Sequence, residues 1–225
     1  MKAFSNLLSD LILTSSRNRK ISLLVEYFST TPDPDRGYAL AALTGALNFK
    51  NIKSSLFKEL IREKQDGYLF DLSYDYVGDL AETVSLLWDQ KKAGNMPSLS
   101  SLFDSLARVK KEDLKNKVSE VLDIGTADQR WAFIKLFTGG LRIGVSSRLV
   151  KQALANYGNL KLEEIEKIWH GLKLPYIDLF SWLEKKDHKP KISIYDYFHP
   201  MMLAHPLVAE KDLTTANTKD FIAEY

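Results

Sequence analysis

Apolar residues return every three or four positions along nearly the whole chain, and this limits the fold more than any single motif does. Phe4, Leu7, Leu8, Leu11 and Ile12 follow the i, i+3, i+4, i+7 rule, and Ile21, Leu24, Val25 and Phe28 repeat it. The same period predicts helices from about Pro34 to Leu43, Ile52 to Glu63, Tyr68 to Leu72 and Tyr76 to Trp88. Gly94-Asn-Met-Pro97 breaks the pattern, and it resumes over 99–109, 112–122, 127–137, 146–157, 162–169 and 176–185. Strand-like alternation is nearly absent, so the expected fold class is all-α. At 225 residues the chain can bury one large core or two modest ones. Its apolar runs stay far below the roughly 18 residues of a membrane span, and the N-terminus opens into an amphipathic segment with no signal-peptide pattern.

Thr138-Gly-Gly-Leu-Arg-Ile-Gly-Val-Ser-Ser-Arg-Leu-Val-Lys151 crowds glycines, hydroxyls and cations between two periodic segments. It reads as helix, tight turn, helix. Gly139 and Gly140 can take the positive φ that ends a helix, and Gly144 allows a close backbone approach before Ser146 or Ser147 caps the next one. Free amides at a helix start beside Arg142 and Arg148 suit an anion, above all a phosphate. From Thr126 to Lys151 the bases Arg130, Lys135, Arg142, Arg148 and Lys151 face the single acid Asp128. The net charge is only +2, so nucleic-acid binding would have to rest on such local asymmetry. A second basic turn, Thr14-Ser-Ser-Arg-Asn-Arg-Lys20, places Arg17, Arg19 and Lys20 where they oppose a helix dipole unless an anion compensates.

The chain also echoes itself. Arg36 to Leu47 and Arg130 to Leu141 share the frame Arg, seven residues, Thr-Gly, one residue, Leu, with Thr44-Gly45 matching Thr138-Gly139. Two pseudo-repeated helical halves would present two glycine turns to one long ligand. After Lys185 the character changes: Phe198-His-Pro-Met-Met-Leu-Ala-His-Pro-Leu207 has two prolines in an apolar run, and an irregular C-terminal tail is expected.

Other chemistries find little support. Gly139 and Gly144 have P-loop spacing, but Val145-Ser146 stands where Lys and Ser/Thr are needed, and a helix precedes the turn rather than a strand. Asp71, Asp75, Asp79 and Glu82 share a helical side and could hold a hard metal, although acids near helix starts more often cap, and no metal is expected. His170, His188, His199 and His205 lack ligand spacing, and Trp131, Trp169 and Trp182 fall on apolar faces. The absence of cysteine excludes disulfides and thiolate chemistry and fits a reducing compartment. No catalytic residue is assigned.

Taken together, the glycine turn, the halves and the tail resemble the N-terminal part of ATP-dependent DNA ligases, most closely the bacterial ones, over essentially the whole chain. The segment Thr138-Gly-Gly-Leu-Arg-Ile-Gly144 matches that family's Ser/Thr-Gly-x-Leu-Arg-x-Gly, and Ser15-Ser-Arg-Asn-Arg19 its basic helix start. The resemblance implies a helical DNA-binding domain over residues 1–190, then a linker and incomplete start of the adenylation domain over 191–225. It implies nicked double-stranded DNA as ligand, gripped through phosphate and minor-groove contacts for nick sealing in repair, replication or recombination. DNA-contacting residues would be Arg17, Arg19, Lys20, Thr44, Gly45, Thr138, Gly139, Gly140, Leu141, Arg142, Gly144, Val145, Ser146, Arg148 and Lys151. Eukaryotic relatives often carry lysine where Gly140 stands, so the resemblance implies one cationic contact fewer here. Their Lys-x-Asp-Gly, which takes AMP from ATP with Mg2+, follows a Glu-Tyr or Glu-Trp like Glu224-Tyr225, so ATP and Mg2+ are implied for a full-length parent acting with its catalytic domains in cis. A cytoplasmic, nucleoid-associated protein is expected, with no membrane partner. The competing expectation is a helical protein-interaction scaffold whose Thr-Gly turns merely end helices.

Overall fold

The computed structural model describes residues 1–47, 52–89, 94, 96–138 and 141–193. Among them are twelve α-helices and no strand. The first six are α1 (Lys2–Leu13), α2 (Arg17–Thr30), α3 (Asp35–Leu43), α4 (Ser54–Lys64), α5 (Gly67–Val77) and α6 (Leu80–Leu87). The second six are α7 (Leu99–Arg108), α8 (Leu114–Ile124), α9 (Ala127–Phe137), α10 (Ser147–Gly158), α11 (Leu162–Ile168) and α12 (Ile177–Leu183), with a short 3-10 turn at Trp169–Gly171. The all-α expectation holds. One boundary moves: the helix expected to begin at Tyr76 is split, because Gly78 takes φ 74° and ends α5, and the Asp79 carboxylate accepts the Glu82 amide to start α6. The tail from residue 194 onward, including the expected entry into an adenylation domain, lies outside the described residues.

The echo extends beyond the two Thr-Gly frames. Thr44 and Thr138 end α3 and α9 with nearly the same backbone, φ −100° and −95°, and each hydroxyl donates to the carbonyl four residues back, Leu40 and Ile134. Arg36 and Arg130 are both buried, and each donates to the carbonyl eight residues earlier, Phe28 in α2 and Leu122 in α8. Phe4, Leu8 and Leu11 of α1 are answered by Leu99, Phe103 and Leu106 of α7, all in the core. Thus α1–α3 recur as α7–α9, and the helix order sets α4–α6 against α10–α12.

The halves interleave instead of sitting side by side. α1 packs on α9 and α7 on α3, while α2 packs on α10 and α8 on α4. This exchange is the reciprocal pattern of a twofold arrangement, in which patch i meets j and j meets i. Aromatic contacts cross between halves, with Phe28 against Phe180 (centroids 5.6 Å), Tyr38 against Phe103 (5.4 Å) and Phe57 against Phe133 (6.3 Å). Tilted, stacked and edge-on in turn, such ring pairs add about 0.5–1.5 kcal/mol each beyond their burial. The core is therefore one body, continuous across both halves.

Candidate nucleic-acid interface

Three turns distant in sequence meet at one surface cleft of about 680 Å³. Ser15, Arg17 and Lys20 come from the start of α2, Ala42, Leu43 and Gly45 from the end of α3, and Leu141 to Ser146 with Leu149 from the entry to α10. The packing of α2 on α10 brings their N-termini to the same place. Each start is built alike: the Ser16 hydroxyl accepts the Arg19 amide at 3.3 Å, and the Ser146 hydroxyl accepts the Leu149 amide at 3.2 Å. A serine cap satisfies one amide and leaves the first two of each helix, Arg17 and Asn18 in α2 and Ser147 and Arg148 in α10, without an intrahelical partner. Neither first turn contains an acid. Two positive dipole ends thus converge with Arg17 and Arg142 on the cleft wall, an arrangement that favours negative charge.

The turn after α9 is shaped by two residues with positive φ, Arg142 at 48° and Gly144 at 65°. Gly139 and Gly140, expected to supply that geometry, lie outside the described residues. A non-glycine residue in the left-handed region is uncommon, and here it sits on the exposed cation of the turn. Lys20 holds the other side. Its Nζ donates to the Ile143 carbonyl at 3.0 Å and the Gly144 carbonyl at 2.9 Å, and the residue is only 8% exposed. A Cβ added at Gly144 would stand 2.6 Å from that nitrogen, so a side chain there would push Lys20 off its carbonyls as well as strain the backbone.

The remaining expected residues divide clearly. Gly45, Leu141, Arg142, Gly144, Val145 and Ser146 line the cleft with Arg17 and Lys20. Arg19 and Arg148 are exposed on the first turns of α2 and α10, beside it. Thr44 and Thr138 turn their hydroxyls back to their own helices, and Thr138 lines an adjoining pocket with Arg142, Lys58 and Lys135. Lys151 faces away, its Nζ 4.8 Å from the Trp169 ring centre, and burial lowers its pKa despite nearby Glu166. Among the described residues no ion pair involves Arg17, Arg19, Arg142 or Arg148. Ser15 and Ile143 lie within the two motifs quoted from the sequence but were not named as contacts, and Ala42, Leu43 and Leu149 were missed as lining residues, since periodicity marks the two leucines only as core.

The basic surplus of the 126–151 window must be corrected. Arg130 is buried and donates to the Ser85, Leu122 and Gly125 carbonyls at the C-terminal ends of α6 and α8, where helix dipoles take the place of a counter-ion. Lys135 is buried against Asp79. Burial by itself would raise the Asp79 carboxyl, but Lys135 and the Glu82 amide outweigh it and hold its pKa below the usual value. Asp71 pairs with Arg62 at 2.5 Å, and no group of three or more acids or histidines among the described residues is placed to hold a metal.

A family model described as DNA ligase N terminus matches residues 1–155. The chain belongs to that family. The match spans α1 to α9 and most of α10, so all three turns around the cleft fall inside the ligase domain. Beyond the matched residues lie α11 and α12, which follow α10 in the order that α5 and α6 follow α4. No curated protein matches the chain in sequence. No helix among the described residues is long and apolar enough to cross a membrane.

Proposed function

We propose that this domain grips nicked double-stranded DNA for an ATP-dependent ligase, chiefly through phosphates and with little reading of base sequence. The observation that carries the reading is the meeting of two acid-free helix starts and two exposed arginines, Arg17 and Arg142, in one cleft. Amides and guanidinium groups contact phosphate oxygens, which fix register without carrying base information. A duplex offers phosphates in two rows across its minor groove. The α2 start would meet one row and the Leu141–Ser146 turn the other, with Leu141 and Val145 against the sugars between them.

Mg2+ does not fit here. A hard cation needs carboxylate oxygens, and the cleft is lined by cations, small residues and apolar side chains. Adenylation and bond formation are therefore assigned to the parent enzyme's catalytic domains in cis, and this domain's part is to position the nick. Repair, replication or recombination in the bacterial nucleoid would each supply that substrate.

The test is affinity for a nicked duplex against salt, by fluorescence anisotropy. Arg17, Arg19, Arg142 and Arg148 neutralising about four phosphates should give a log–log slope of about −4. A flat response would sink the reading, and so would a loss in Arg142→Ala that depended on base sequence.

A further inference from the structure

The second half provides a template for each helix of the first, and α5 departs from its template in one informative way. Phe70 of α5 and Ile165 of α11 hold the same fully buried position. Four residues on, Tyr74 and Trp169 each lie under a lysine of the preceding helix, Lys58 at 4.5 Å and Lys151 at 4.8 Å from the ring centre. In the register set by these two anchors, Tyr68, Leu69 and Leu72 correspond to Glu163, Glu164 and Lys167. The architecture thus accepts charged side chains at all three positions, because α11 has them.

On α5 the same positions are apolar and open to water. Tyr68 is 75% exposed, Leu69 50%, Leu72 51%, and Tyr76, two turns beyond Tyr68, 93%. Single exposed apolar residues are ordinary, but four on one helix whose twin is charged are not explained by folding. Tyrosine and leucine grouped this way are the composition of a binding face, in which tyrosine contributes area at little entropic cost. The helix and its cap contain Asp66, Asp71 and Asp75 and no base, in a chain whose net charge is positive.

We propose that this face of α5 is a docking surface for a basic amphipathic helix of a partner protein. The apolar stripe would take the partner's apolar side, and Asp75, together with Asp71 as it exchanges its exposed Arg62 partner, its lysines or arginines. Nucleic acid is disfavoured because those carboxylates would repel phosphates, and a second copy is disfavoured because acids would meet acids.

The experiment installs the α11 residues on α5 as Leu69→Glu with Leu72→Lys. The probe is a synthetic helical peptide with leucines along one face and lysines along the other. Wild type should bind it saturably, and the double variant should bind about tenfold or more weakly while keeping the wild-type melting temperature and affinity for nicked duplex. Absence of saturable binding, or equal binding by both proteins, overturns the proposal. A parallel loss of DNA affinity would make the face part of the nucleic-acid interface, and self-association abolished by the variant would make a second copy the occupant; either result also overturns it.

Discussion

Lys20 and Arg17 stand three residues apart on α2 and do different work. Both carry the charge of a phosphate ligand, and sequence does not separate them. In the structure Lys20 donates to two carbonyls of the Leu141–Ser146 turn, whereas Arg17 is exposed on the cleft wall. Replacing Arg17 with Ala should therefore reduce the salt slope of nicked-duplex binding by about 1. Lys20→Met should leave the slope unchanged but weaken binding and lower stability by about 1–3 kcal/mol, because the buried Ile143 carbonyl loses its donor. Salt titrations and denaturant melts of the two variants separate these roles; an equal drop in slope for both would show Lys20 neutralising phosphate itself. The positive φ of Arg142 was equally illegible, since the neighbouring glycines were the residues expected to bend the chain.

At the scale of the element, turn chemistry was readable and helix ends were mostly found from it. Ser16, Thr126 and Ser146 cap as their residue types lead one to expect, and the Thr-Gly frame led to two helix ends whose threonines share one backbone geometry. What could not be read was how a short helix is anchored. α12 has seven residues and depends on its end: Glu184 accepts from Arg36 and from the Tyr157 hydroxyl at 2.8 Å, and Arg36 lies over Phe180 at 4.2 Å from the ring centre. The Arg36 guanidinium, outweighing burial, lowers the Glu184 pKa from 4.5 to about 2, with Lys186 and Tyr157 assisting. A depressed carboxyl stabilises the fold fully above its unfolded value and loses that contribution as pH falls through the folded one. Glu184→Gln should thus be less stable than wild type by about 2 kcal/mol near neutrality, because Arg36 keeps its two bonds to Asp33 but loses the second carboxylate. The difference should shrink as pH falls from about 4.5 toward 2, as thermal melts across that window would reveal. A pH-independent difference would mean that Glu184 acts through packing instead of charge.

For the molecule as a whole, the all-helical class and the internal echo were visible in sequence, but the interleaving was not. Periodicity reports which side of a helix is buried and is silent about which partner buries it. The repeat itself surfaced only where turn chemistry preserves residue identity, as in Thr44-Gly45; in the core, burial is kept while identity drifts, as with Phe4 and Leu99 or Phe70 and Ile165. Because α1 and α2 complete their cores on α9 and α10, and α7 on α3, neither half encloses its own apolar faces. Residues 1–95 and 96–193 expressed separately should each lack cooperative melting, and mixing them should restore it as a one-to-one complex, measurable by circular dichroism and sedimentation. A cooperative melt from either half alone would contradict the reciprocal packing.

The paired arginines point to a history. Arg36 and Arg130 fasten corresponding helices to corresponding carbonyls eight residues upstream, an idiosyncratic solution that two lineages would not reach independently in one chain. Duplication of a six-helix unit is the simplest account of it, and the exchanged packing is of the kind a symmetric dimer of such units, later joined in one chain, would make. A symmetric dimer must change both of its surfaces at once, whereas a fused descendant can alter one copy and leave the other. The Lys20 clamp, answered by Leu114 in the other half, and the charged twin of α5 mark where that freedom was used.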